Sequence, residues 1–253
     1  MMNHANSQDR MRSILVMVAT IATITFNGLA ATGYVNGVTP DVISDKYPTV
    51  LTPAGWAFSI WSVIYIGMLA FSVYQLLSDN LARFRAVRSV YIVSCLLNCA
   101  WIYFWHRDQI GICLILIFAL LLTLIGLLYL FRRPGSDVGP LFTKTPFGIY
   151  AGWVTAATLV NFTVFLKSVG VGMSPTGWNI LGVTFLAFAA GLAVIVRLQL
   201  KSYLYALAIA WAATGIAIKQ SGNTAIVVAG SICVIVCLVM AVSFVMEQKS
   251  TTT

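Results

Sequence analysis

Eight apolar stretches, each about as long as a membrane-spanning helix, constrain this chain more than any other feature. They lie at residues 14–34, 54–77, 87–105, 110–131, 146–167, 178–197, 202–219 and 223–246. A helix needs roughly 20 apolar residues to cross the hydrocarbon core of a bilayer. The mean hydropathy is +0.91 and 9% of the residues are charged, against about a quarter in a soluble domain. We therefore predict an all-α fold, a polytopic transmembrane bundle of about eight spans with the lipid bilayer as its surroundings.

The spans leave no room for a soluble catalytic domain. The sequence contains no Gly-rich phosphate loop, no paired-His zinc motif and no nucleophile elbow. Its five cysteines lie inside apolar stretches, without the C-x-x-C spacing of redox and metal sites. These observations predict a protein that is not an enzyme, that needs no cofactor and that has no metal site.

The basic residues predict the orientation of the bundle. With eight spans, both termini face the same side, and that side has 11 of the 15 Lys and Arg residues. They are Arg10, Arg12, Arg83, Arg85, Arg88, Arg132, Arg133, Lys144, Arg197, Lys201 and Lys249. Basic loops stay in the cytoplasm, so both termini are predicted to be cytoplasmic, in a bacterial inner membrane. The net charge of +8 is explained by this orientation, and no nucleic-acid partner is predicted.

The acidic residues are expected outside the membrane interior. All seven carboxylates, from Asp9 to Glu247, are predicted to lie in loops or tails, and no Lys or Arg falls near the centre of a span. Charges at the centre of a span are costly and are usually kept for proton relays or ion coupling. The pattern therefore argues against an ion-coupled pump and leaves a binding protein or a passive carrier.

One connection is long. Residues 36–52 include two prolines and two aspartates and lead into the second span on the non-cytoplasmic side. They could form a lid over an opening there, or a solvated linker.

Polar and aromatic residues form one stripe on each of three helices. The stripes are Phe58, Trp61 and Tyr65 on span two, Asn98, Trp101 and Trp105 on span three, and Tyr150, Trp153, Ala157 and Asn161 on span five. A mid-membrane Asn must form hydrogen bonds inside the bundle, which turns these faces inward. They predict either an apolar pocket with a few polar anchors or ordinary interfacial belts and helix packing. On span five, Gly148-x-x-x-Gly152 also forms a small-residue face that allows a neighbouring helix to approach closely.

Three motifs resemble those of the translocator protein family, the tryptophan-rich sensory proteins (TspO/MBR). Residues 52–69, TPAGWAFSIWSVIYIGML, resemble the family's second helix, and Leu97-Asn98-x-x-Trp101 resembles its third. Pro146, Tyr150, Trp153 and Asn161 have the spacing of its fifth helix. The chain departs from the family pattern at Ala54, where members have a second proline, and at Phe162, where the animal sterol motif is not matched.

The resemblance implies a five-helix domain that binds porphyrins or other tetrapyrroles, and often a homodimer. It divides the chain into a tail at 1–13, a TspO-like domain at 14–168, three additional helices at 169–247 and a tail at 248–253. The seven residues carried over as the ligand site are Trp61, Tyr65, Asn98, Trp101, Tyr150, Trp153 and Asn161. The predicted function is thus a membrane binding or sensory protein for a flat hydrophobic ligand. The alternatives are an uncoupled carrier of a hydrophobic metabolite and, third, light-dependent porphyrin breakdown.

Overall fold

A computed structural model describes residues 7–132 and 139–250, with side chains throughout except at residues 78 and 244–250. Over these residues the elements are helical. The α-helices are α1 Ser7–Ala31, α2 Pro40–Lys46, α3 Ile60–Tyr74, α4 Arg85–Trp105, α5 Ile110–Phe131, α6 Lys144–Ser168, α7 Pro175–Leu200, α8 Tyr203–Lys219 and α9 Thr224–Ser250. A 3₁₀ helix, Gly55–Ser59, directly precedes α3, and a second one spans Ser78–Asn80.

The predicted all-α membrane bundle is confirmed. Seven helical stretches of the described chain are long and apolar enough to cross a membrane. The eighth predicted span corresponds to α8, which is apolar but has only 17 residues, or about 26 Å of helix. For six of the eight predicted spans, the corresponding α-helix begins within three residues of the predicted start. The pattern of apolar residues therefore located the helices well.

The first helix begins earlier than predicted. Its polar first two turns, from Ser7, continue the apolar span, and Asp9 lies inside the helix with 1% of its surface exposed. The prediction that every carboxylate lies in a loop or tail is therefore wrong for Asp9. Its charge is compensated by Arg85, whose guanidinium donates to both carboxylate oxygens. Hydropathy alone could not reveal this pairing, because the two residues are 76 positions apart.

Two other predictions about the acidic residues need correction. The backbone of Glu247 lies within α9 rather than in a tail. The long connection at 36–52 contains the short helix α2, which includes Asp41 and Asp45. Arg133, one of the basic residues used to predict the orientation, and Asp137, one of the seven carboxylates, lie outside the described residues.

The chain forms two compact units. Unit 1 comprises Met1–Pro40 and Trp61–Phe147, and unit 2 comprises Asp41–Ile60 and Gly148–Thr253. In unit 1 an aromatic cluster is fully buried: Phe71 contacts Phe84, Phe131 and Phe147 with ring centroids 5.1–5.8 Å apart. This cluster joins the end of α3 to the start of α4 and the end of α5, and so stabilises one end of the unit.

In unit 2, α8 packs against α6, α7 and α9. A Cβ added at Gly152 would collide with the backbone carbonyl of Tyr205 and lie 2.9 Å from the Ala208 Cβ. The sequence predicted a close helix neighbour for this small-residue face, and the structure identifies it as α8. Tyr205 also exchanges a hydrogen bond of 2.6 Å with Thr155 of α6. The predicted boundary at residue 168 stays a prediction; the two compact units divide the chain at other positions.

Candidate functional site

Four aromatic rings in unit 1 form a continuous stack. Trp61 stacks on Tyr65 of the same helix, with ring centroids 5.6 Å apart and planes inclined by 18°. Trp61 also stacks on Trp101 of α4, at 6.1 Å and 29°. Trp101 in turn stacks on Trp105, at 5.6 Å and 24°. Trp61 and Tyr65 of the span-two stripe therefore meet Trp101 and Trp105 of the span-three stripe, whereas Phe58 lies in unit 2.

The stack is rigid at one end and accessible at the other. Trp101 and Trp105 are 3% and 2% exposed, and the Trp105 indole N–H donates to the carbonyl of Pro40 at 3.0 Å. Trp61 and Tyr65 are half-buried. A partly exposed ring that is fixed by buried neighbours can contact another planar π-system.

Asn98, three residues before Trp101 on α4, joins α4 to α1. It is fully buried, and its Oδ1 accepts a hydrogen bond of 2.7 Å from the Asn27 amide of α1. The expectation that Asn98 bonds inside the bundle is confirmed. A second buried polar cluster, which sequence reasoning missed, joins Thr20 of α1 to Ser72 at 2.5 Å and to Tyr91 at 2.6 Å. Single hydroxyl residues in apolar helices give little signal, because they often bond only to their own backbone.

The three predicted residues of span five belong to unit 2. Tyr150 is fully buried, and Trp153 and Asn161 are each 3% exposed. Trp153 makes an edge-to-face contact with Phe58, with centroids 5.9 Å apart. The Asn161 amide donates to the Ala157 carbonyl of its own helix at 2.9 Å. Since four of the seven residues lie in unit 1 and three in unit 2, their convergence on one ligand stays a prediction.

Unit 2 contains a small apolar cavity between α6, α7, α8 and α9. Its volume is about 20 Å³, and its lining includes Leu51, Ala156, Phe185, Ile209, Ala213 and Cys233. An apolar void of this size stays dry and holds about one water-sized sphere. It is too small for a tetrapyrrole.

Sequence reasoning also missed an aromatic pair in unit 2. The rings of Trp56 and Trp211 meet edge to face at 4.8 Å, and the Trp211 indole N–H donates to the Ala57 carbonyl at 2.9 Å. Both rings are about 40% exposed. Both tryptophans are visible in the sequence, but nothing in it pairs one with the other.

The chemistry available in these regions is stacking and neutral hydrogen bonding. Among residues 7–132 and 139–250, no group of three or more His, Cys, Asp or Glu side chains could hold a metal ion. The aromatic residues could contact a ligand over its flat faces, while the buried amides fix the helices around them.

The comparison with protein families gives a match over nearly the whole chain. The family model described as TSPO-like protein matches residues 13–243. No curated protein and no solved structure matches the chain. The match extends well beyond the 14–168 range of the sequence motifs and includes the last three helices. A family match of this length, on a helical membrane protein with paired Trp stripes, shows that the chain belongs to the TSPO-like protein family.

Proposed function

We propose that this protein binds a flat hydrophobic ligand in the membrane, with a tetrapyrrole as the leading class. The observation that carries the proposal is the stack of Tyr65, Trp61, Trp101 and Trp105 in unit 1. Stacking of aromatic rings contributes about 0.5–1.5 kcal/mol per pair beyond the burial of apolar surface. A macrocycle has a large planar π-face, so it can stack on a ring held in this way.

The proposal gives the predicted residues different tasks. In unit 1, the partly exposed Trp61 and Tyr65 provide the stacking surface, the buried Trp101 supports it, and Asn98 holds α4 to α1 through Asn27. In unit 2, the buried Trp153 and Tyr150 are assigned to the wall of the pocket, and Asn161 supports the helix. The membership in the TSPO-like family supports this assignment, because the motifs that carry these residues are those of the sequence resemblance.

The Trp61→Leu variant tests the proposal. Protoporphyrin is titrated into purified protein in detergent, and binding is followed by the absorption of the porphyrin, so that loss of an indole does not alter the signal. Removing the one ring contact that Trp61 makes with the ligand, worth about 0.5–1.5 kcal/mol, is expected to weaken binding by about 2- to 13-fold, since 1.4 kcal/mol corresponds to a factor of 10.

The matched control is Tyr103→Leu. Tyr103 lies on α4 and is 39% exposed, but it contacts Phe104 and Arg107 rather than the stack. The Tyr103→Leu variant should bind protoporphyrin with the affinity of wild type. Equal affinity of the Trp61→Leu variant and wild type would overturn the proposal. Saturable flux of the porphyrin in proteoliposomes would favour the carrier function over simple binding.

We further propose that both termini face the cytoplasm of a bacterial inner membrane. The support is the excess of basic residues on one side of the eight apolar helices, including Arg10, Arg12 and Arg83, which are exposed. A fluorescent protein fused after Thr253 should fold and fluoresce, whereas alkaline phosphatase fused there should be inactive. An active phosphatase fusion would reverse the orientation.

A further inference from the structure

Three residues on one face of α8 contact the irregular segment that precedes α3. They are Trp211, Gly215 and Lys219, spaced i, i+4 and i+8, with Gln220 following directly. We name this set, with Gln220, the α8 stripe. Residues 45–57 run along it in the opposite direction, so that later residues of the segment meet earlier residues of the helix.

The contacts begin at the end of α8. The Lys219 ammonium pairs with the Asp45 carboxylate at 3.1 Å. The Gln220 amide donates to the carbonyls of Thr49 and Thr52, at 3.0 and 3.3 Å. The Thr49 carbonyl also accepts from the Thr52 amide at 3.2 Å, so Gln220 ties a turn of the segment to the end of α8.

Earlier in α8, the backbone of the segment lies directly against the helix. The Ala54 amide donates to the Gly215 carbonyl at 3.0 Å. A Cβ added at Gly215 would lie 2.8 Å from that of Ala57, so the glycine permits this approach. Trp211 then donates to the Ala57 carbonyl at 2.9 Å. Trp211 lies eight residues before Lys219, or about 12 Å along the helix.

These bonds matter because the segment runs beside the last turns of an apolar helix. Backbone without regular structure in apolar surroundings is stable only where protein groups satisfy its N–H and C=O groups. The α8 stripe supplies such groups to residues 49–57. The segment continues into the 3₁₀ helix that holds Phe58, whose ring contacts Trp153 at 5.9 Å.

We propose that Trp211, Gly215 and Gln220 are positioning residues, which fix the 49–57 segment and thereby the place of Phe58 against Trp153. This inference rests on the proposed function for its link to a ligand, because Trp153 is one of the proposed contact residues. It assigns a role to a helix that follows the motif-bearing part of the chain.

Two substitutions test the inference. Gly215→Ala forces a methyl group against Ala57, and Gln220→Glu keeps the shape of the side chain but removes the amide donor. In the absence of ligand, hydrogen exchange of the peptide covering residues 52–60 is measured by mass spectrometry in lipid nanodiscs. Loss of a hydrogen bond is expected to raise its exchange rate by about fivefold in either variant.

The control is Gly191→Ala, a glycine of α7 in unit 2 with no atom within 4 Å of an added Cβ. It should leave exchange of residues 52–60 unchanged. Unchanged exchange in both Gly215→Ala and Gln220→Glu would overturn the inference. Protoporphyrin affinity is then compared in the same proteins, and a fall of about threefold or more in the two test variants is expected.

The two proposals fail in different ways. Faster exchange with unaltered porphyrin affinity would overturn the positioning role while leaving the binding function intact. Absence of porphyrin binding by wild type would defeat the proposed function alone, and the exchange measurement then decides whether the α8 stripe holds the segment.

Discussion

Replacing Gly152 with alanine is expected to lower the free energy of unfolding by about 3 kcal/mol, at the upper end of the cost of overpacking. The added methyl group would collide with the backbone carbonyl of Tyr205. A backbone atom cannot rotate away as a side chain can, so α6 and α8 must separate along their contact. The change is measured by unfolding in mixed micelles with increasing dodecyl sulfate, followed by circular dichroism.

The Gly191→Ala variant is again the matched control. An alanine there meets open space, and alanine favours a helix by up to about 1 kcal/mol over glycine. This variant should therefore be as stable as wild type or slightly more stable. If Gly152→Ala unfolds at the same detergent fraction as Gly191→Ala, the close contact of α6 and α8 is not formed in the protein.

The loss of stability expected for Gly152→Ala also bears on the role of the last three helices. Gly148 makes a similar close approach to Ser202 at the start of α8. The family match continues to residue 243, so it includes α7, α8 and most of α9 as well as the earlier helices. A strong effect at Gly152 would show that α6 depends on this later part of the chain for its stability.

The long helices could be predicted from the sequence because each contains an apolar stretch of about the length of a membrane span. The helix beginnings were less predictable where polar residues continue a span, as at Asp9, since their partners lie on another helix. The 3₁₀ helix at Gly55–Ser59 was also unpredictable, because its backbone depends on bonds to α8 such as that of Ala54 to Gly215. Non-local bonds of this kind leave no periodic pattern.

The candidate site was partly predictable for a related reason. Helical spacing correctly placed Trp61 and Tyr65 on one face, and Asn98 and Trp101 on another. Spacing within one helix says nothing about which face of a neighbour it meets. The contact of Trp211 with Trp56 was therefore missed, although both tryptophans were visible in the sequence.

Replacing Arg88 with methionine is expected to lower the free energy of unfolding by about 3–5 kcal/mol, as when one partner of a buried ionic group is removed. Arg88 is fully buried near the start of α4. Its guanidinium donates to the Gln75 side chain at 2.7 Å and to the Leu81 carbonyl at 2.6 Å, and it lies 3.9 Å from the Asp9 carboxylate. Methionine fills similar space but leaves these acceptors without that donor. The same dodecyl sulfate unfolding measures the loss.

Arg83→Met separates this effect from the simple loss of a positive charge. Arg83 is exposed and donates to Asn80 at 3.0 Å, and exposed polar contacts of this kind contribute about 0–1 kcal/mol. Arg88 instead satisfies carbonyls released where α3 ends, and it places a charge near Asp9 within the folded unit. Equal stability of the two variants would mean that Arg88 is solvated rather than buried. A large difference would establish that a buried charge network, rather than apolar packing alone, holds the start of α4 to the end of α3 and to α1.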